Sequence, residues 1–309
     1  MGNTDTREER GWSWRLRVVG TLLSLILLAW LFIRQDWQAI LTAVQTLPAW
    51  SLIASLFLVL LRHIWNNTRW YILLRAQKID ISFLRALQLM FTGLFVSNFL
   101  PSMVGGDVVR IAGILQETEK RVAGAASVLM DRLVGVTGMF FVLPLSFPLI
   151  GAIISDPDFL FTSSIAGFSK KLRSGYKRLW TVFRIWMRKP FSLVFALITS
   201  WLGVLSSFLA VLILARGLGM SVSLLDIAGV SVLTYFLTLI PISINGYGIR
   251  ELAILGFYTQ LGASSEQATA LALITRFIFL LVSLPGAFWL KDIVPAETST
   301  EVDVVEEAS

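Results

Sequence analysis

Uncharged apolar runs separated by short polar stretches set the rhythm of this chain. They fall at Val18–Ile33, Trp50–Leu61, Ala86–Gly106, Leu133–Ser155, Phe191–Ala215 and Phe277–Leu290. A helix that crosses a bilayer needs about 20 predominantly apolar residues, and several of these runs reach that length once their flanks are counted. The pattern predicts an all-α, polytopic membrane bundle. The first run follows Arg7, Arg10, Arg15 and Arg17 and lacks a small-x-small cleavage site, so it reads as an uncleaved first helix rather than a removable signal.

Two of the apolar runs are interrupted in similar ways. NFLPSMVGGDVVR (Asn98–Arg110) carries a proline, two adjacent glycines, an acid and an arginine, and LIPISINGYGIREL (Leu239–Leu252) repeats the theme. Pro101, Gly106 and Arg110 match Pro241, Gly246 and Arg250 in spacing. Upstream, Leu73–Leu84 aligns with Leu214–Leu225, setting Arg75 against Arg216 and Ser82 against Ser223 and, one residue on, Arg85 against Asp226; downstream, Arg132 corresponds loosely to Arg276. The expected architecture is an inverted internal repeat, with halves near 50–138 and 191–290, each holding a re-entrant broken helix. Eight ordinary spans are the simpler alternative.

Charge orients this scheme. Lys and Arg in short loops mark the cytoplasmic face. They gather in the N-terminal arm, 1–15, in Arg69–Asp80, around Lys120 and Arg121, and most densely in the segment 168–190. There Leu172, Tyr176, Leu179, Phe183 and Trp186 form a helical stripe opposite the cations, as in a helix lying among headgroups. The transmembrane domain is thus expected over 16–292 with both termini cytoplasmic. The acidic tail, 293–309, is expected to be disordered.

Composition narrows the chemistry. Charged residues make up 15% of the chain, against about 25% in soluble domains. The chain has no cysteine and one histidine, His63, which argues against thiol catalysis and metal centres; no cofactor is expected. The net charge of +6 belongs to membrane orientation rather than to nucleic acid. Arg62 and His63, beside Trp65 and Asn66, read as a helix end reaching the interface.

Irregular backbone at membrane depth is tolerated where protein or trapped water surrounds it. In the first break, Gly105 and Gly106 permit close backbone approach. A helix restarting at Asp107 would point its N–H groups into the gap, an end that favours anions. Arg110, with Asn98 nearby, would reinforce it. Ser243, Asn245, Gly246, Gly248 and Arg250 make the equivalent offer in the second break. Asp107 reads either as the cap of its helix or as part of the site. Glu251 needs a partner other than Arg250, because adjacent helix residues do not face one another; pairing across the two hairpins would supply one. Asp131, Arg132 and Arg276 are isolated in apolar helices, and belong to a polar interior or to interhelical pairs.

These motifs resemble the lysylphosphatidylglycerol synthase transmembrane-region family. The resemblance rests on Asn98, Leu100, Pro101, Gly105, Gly106, Asp107 and Arg110; on Asp131 and Arg132; and on Pro241, Ser243, Gly246, Gly248, Arg250 and Glu251. Leu252 departs from the small residue expected after the Arg-Glu pair. The resemblance implies a flippase-like protein of the cytoplasmic (inner) membrane that moves a polar lipid, a phospholipid or a lipid-linked sugar, between leaflets. The family's aminoacyl-transferring domain does not follow in these residues, so synthase activity is not expected. No G-x-x-x-x-G-K-S/T motif occurs. The partners expected are anionic lipids and a lipid- or glycan-synthesis enzyme. A lipid-modifying transferase using Asp107 or Glu251 as base, and a scaffold for such an enzyme, are the competing readings.

Overall fold

The computed structural model describes residues 37–45, 47–98, 105–146, 189–239 and 248–292. The described residues are helical, with no strand among them. The helices are α1 (Trp37–Gln45), α2 (Ala49–Ala76), α3 (Phe83–Ser97), α4 (Gly105–Glu117), α5 (Arg121–Phe140), α6 (Pro190–Gly217), α7 (Leu224–Thr238), α8 (Ile249–Gln260), α9 (Ser265–Ser283) and α10 (Pro285–Phe288). A 3₁₀ turn, Leu143–Ser146, follows α5. The expected first helix, the segment 168–190 except its last two residues, the tail, and the prolines and central residues of both breaks lie outside the described residues.

Length sorts the helices into two kinds. α2, α5, α6 and α9 continued through α10 are long and apolar enough to cross a membrane. At 28 residues each, α2 and α6 extend ~42 Å, well beyond a hydrocarbon core of ~30 Å. α3 and α7 have 15 residues each, and α4 and α8 have 13 and 12. At ~18–22 Å each falls short of a crossing. The short helices pack in consecutive pairs, α3 on α4 and α7 on α8.

The packing scheme repeats. α2 lies along α6 at the centre. α2 also meets α3 and α5, and α6 meets α7 and α9; α4 packs on α5, and α8 on α9; α5 returns to α6, and α9 to α2. The turn after α5 packs on α7, while α10, which follows α9, packs on α3. Local chemistry repeats as well. Ser82 Oγ accepts the Arg85 N–H at the start of α3, and Ser223 Oγ accepts the Asp226 N–H at the start of α7. Each hydroxyl thereby satisfies a donor that the helix leaves free. At the preceding helix ends Lys78 adopts φ 55 and Gly219 φ 77, the left-handed conformation that closes a helix. The serine register read from the sequence is thus seen as a pair of helix caps.

Buried apolar surface gains little free energy inside lipid, so close packing and interhelical hydrogen bonds must hold such a bundle. On α2 the buried residues Ser51, Ser55, Val59, His63 and Asn67 recur every fourth position, a single helix face. Ser55 Oγ donates to the Ala210 carbonyl of α6 at 3.0 Å. The Gly93–Gly106 contact joins α3 to α4 backbone to backbone: a Cβ on Gly93 would lie 2.6 Å from the Gly106 carbonyl oxygen. The outer surface is apolar, with Ile53, Phe57, Phe191, Phe195, Phe277 and Phe288 exposed, whereas Asp107, Arg110, Asp131 and Glu251 are buried. That is the distribution expected of a bundle solvated by lipid.

Candidate functional site

Charged residues of the long helices α2 and α5 meet those of the short helix α4. Asp131, in the middle of α5, accepts two arginines: Arg69 of α2 (Nε to Oδ1, 2.7 Å) and Arg110 of α4 (Nη2 to Oδ2, 3.0 Å). Arg69 also donates to Ser200 Oγ of α6 at 3.1 Å. Asp107 pairs with Arg132 of α5 and lies 3.6 Å from Arg110 Nη1. The Arg110 guanidinium sits 4.2 Å from the ring centre of Trp70, whose indole N–H donates to Ser127 Oγ at 3.0 Å. The face of an aromatic ring attracts a cation, so Trp70 adds to the hold of the carboxylates on Arg110. Four helices are tied together through one aspartate and its arginines.

A second centre forms around α8. Gly248, with φ 79, donates its backbone N–H to Glu251 Oε2 at 2.7 Å. Glu251 Oε1 lies 3.4 Å from Arg276 Nε of α9. Arg250 and Arg62 both place their guanidinium carbons over Phe279 of α9, at 4.8 and 4.9 Å from its ring centre. The His63 ring meets Phe279 edge-on at 6.0 Å. Tyr235 of α7 lies near Arg62, Arg69, Asp131 and Arg132.

Several sequence expectations change here. α4 begins at Gly105, so Asp107 is inside the first turn rather than a cap, and its carboxylate is engaged by Arg132 and Arg110. Glu251 finds its partner on α9, the next helix of its own half, not across the two hairpins. Arg62 is the fourteenth of the 28 residues of α2 and His63 is 5% exposed; neither is at an interface. Arg69 belongs to α2 and to the buried network, not to a basic loop. The alignment of Arg110 with Arg250 also gives way. Counting from the helix starts, Asp107 corresponds to Glu251 and Arg132 to Arg276, both 144 residues apart, so Arg250 stands opposite Gly106.

The other expected site residues fall as follows. Asn98, ending α3, donates to Ser283 Oγ of α9 at 2.9 Å. Gly105 and Gly106 open α4, and Gly248 precedes α8. Ser243, Asn245 and Gly246 lie outside the described residues. Sequence reasoning missed Arg62, Arg69, Trp70, Tyr235 and Phe279 as participants. A signal existed for the first two: Arg62, Asn66 and Arg69 are spaced 4-3, a polar stripe on one helix face. Two open hollows of about 360 and 440 Å³ lie along the α4–α5 connection, and neither includes these groups.

Apolar outside, charged at mid-helix and built from several membrane-length helices, this is a polytopic helical membrane protein. Residues 17–169 and 154–286 match the lysylphosphatidylglycerol synthase TM region, and the chain belongs to that family. No curated protein matches it.

Proposed function

We propose that the protein moves a polar lipid between the leaflets of the cytoplasmic membrane. The observation that carries this reading is the charged network at the centre of a lipid-facing bundle. An arginine or aspartate at mid-helix costs about 2.5–3.5 kcal/mol on insertion scales, and ion pairs offset that cost only in part. Among the described residues, Arg62, Arg69, Arg110, Arg132, Arg250 and Arg276 outnumber Asp107, Asp131 and Glu251 in this network. Such an excess serves to lower the barrier for an anionic headgroup crossing the hydrocarbon. Membership of a family with a membrane lipid-related role supports the same reading.

The short helix pairs supply a path. In this reading α3–α4 and α7–α8 dip into the membrane from opposite faces, as the repeated packing and the charge distribution of their connections favour. The headgroup passes between them while its acyl chains stay in lipid. Each carboxylate is held by arginine, which suits a network that rearranges around a passing headgroup better than a general base. We therefore infer transport rather than catalysis.

Reconstitution in liposomes with headgroup-labelled lipids tests this directly. Leaflet exchange above that of protein-free vesicles is expected for at least one phospholipid or lipid-linked sugar. Exchange no faster than in empty vesicles across such a panel would exclude the activity. If deleting the gene removes a lipid species instead of leaving it in the wrong leaflet, a transferase replaces it.

A further inference from the structure

Four arginines of the network are matched to carboxylates: Arg69 and Arg110 to Asp131, Arg132 to Asp107, Arg276 to Glu251. Arg62 and Arg250 are different. Neither forms an ion pair among the described residues, and what each touches is the ring of Phe279. Both guanidinium carbons lie within 5 Å of the same ring centre, so they are at most ~10 Å apart, a separation at which like charges still repel. Arg69 also bears on Arg62 with the same sign.

Two further features leave this spot electropositive. Arg250 is the second residue of α8, where the helix's own partial charge is positive and a cation is unfavourable. Arg62 is at the middle of α2, as far from either aqueous boundary as that helix permits. The ring of Phe279 attracts both cations, but a ring face is no substitute for a counter-ion. Both arginines are half-buried.

We infer that Arg62 and Arg250, held over Phe279, form a clamp for a phosphate-bearing anion. A phosphodiester supplies a single negative charge and two unesterified oxygens, one for each guanidinium. Planar guanidinium groups suit phosphate through paired N–H donors. Phe279 is the ring that both arginines share, while the Glu251 carboxylate is engaged by Arg276 and the Gly248 N–H. The clamp accordingly selects the phosphate and is indifferent to what is esterified beyond it.

The clamp deepens the translocase reading and rests on it for the lipid source of the phosphate, but equilibrium binding separates the two. Native mass spectrometry of the delipidated full chain is titrated with dioleoylphosphatidylglycerol, and with dioleoylglycerol as the phosphate-free counterpart. Arg62→Gln and Arg250→Gln are each expected to weaken phosphatidylglycerol binding about 10- to 100-fold, the range for one charge-assisted contact, with dioleoylglycerol unchanged. Arg62→Lys and Arg250→Lys, which keep the charge but lose the planar fork, are expected to bind less tightly than wild type and more tightly than the glutamine variants, separating loss of the clamp from loss of the fold. Displacement by excess inorganic phosphate would support the clamp as a free-anion site; resistance to it, with binding lost in the glutamine variants, supports a lipid-borne phosphate. Equal phosphatidylglycerol affinity in wild type, Arg62→Gln and Arg250→Gln overturns the clamp, whatever the leaflet exchange. Wild-type binding through both arginines without exchange in liposomes would leave the clamp standing and remove the translocase.

Discussion

The carboxylate of Asp107 is ion-paired to Arg132, 25 residues further along the chain, and the same separation recurs where Glu251 meets Arg276. The two pairs occupy corresponding places, the first turn of a short helix against the middle of the long helix that follows. They differ in exposure. The Arg132 side chain is 41% exposed, whereas those of Arg276 and Glu251 are 12% and 6% exposed. Removing one partner of a buried pair leaves an uncompensated charge and costs about 3–5 kcal/mol; without Arg132 the buried Asp107 would still have Arg110, whereas without Arg276 Glu251 would be left with the Gly248 N–H.

Arg276→Ala is therefore expected to destabilise the protein several-fold more than Arg132→Ala. In the latter variant Asp107 keeps Arg110 nearby. Thermal unfolding of the purified variants in one detergent measures the difference. Equal shifts would mean that Arg110 does not stand in for Arg132 beside Asp107.

Asp131 holds two arginines at once, Arg69 at 2.7 Å and Arg110 at 3.0 Å, the second of them shared with Asp107 at 3.6 Å. Asp131→Asn leaves two cations with a neutral amide and is expected to cost about 3–5 kcal/mol. Adding Arg110→Gln removes one of the surplus charges, so the double variant should be more stable than Asp131→Asn alone. A double-mutant cycle on unfolding midpoints reads the coupling. A double variant that is worse than the single one would show that Arg110 contributes through Trp70 and packing rather than through charge.

The ends of α2 and α6 allow a gain in stability. Lys78 holds φ 55 where the second half has Gly219 at φ 77, and a side chain in that conformation costs about 1–2 kcal/mol relative to glycine. The Lys78 N–H still bonds the Arg75 carbonyl, as the Gly219 N–H bonds that of Arg216, so the turn itself is well formed. Lys78→Gly is expected to raise the unfolding midpoint and Gly219→Lys to lower it. No change for Lys78→Gly would mean that the extra freedom of glycine in the unfolded chain offsets the strain removed from the fold.

How much of this was legible in the sequence follows from which signals are local. Ser82 and Ser223 act through donors three residues away, and their register was readable because capping needs no tertiary knowledge. The isolation of Asp131, Arg132 and Arg276 in apolar runs marked them as interior, since lipid makes a lone charge expensive. Partner choice was not readable. Asp107 and Glu251 reach arginines on the next helix, and that depends on helix packing. Arg69 reads as part of a basic loop because its positive charge, near Arg75 and Lys78, outweighs the helical stripe that it shares with Arg62 and Asn66. The three extra residues between α7 and α8, compared with α3 and α4, displaced the proline–arginine alignment from the pairing of Asp107 with Glu251.

Opposed orientation of the halves is the remaining expectation, and the absence of cysteine makes it accessible to single-cysteine labelling. Asp80 and Ser221 occupy matching positions in the connections before α3 and α7, and both are exposed. The Asp80 side chain pairs with Arg75 at the surface, a contact worth about 1 kcal/mol or less, so Asp80→Cys should leave the fold intact. Basic residues surround the first connection and are sparse at the second, and short basic connections remain cytoplasmic. Asp80→Cys is expected to react with a membrane-impermeant maleimide in inside-out vesicles, and Ser221→Cys in intact spheroplasts. Labelling of both from the same side would place the two short helix pairs on one face of the membrane, and a headgroup path running between opposed pairs would then not exist.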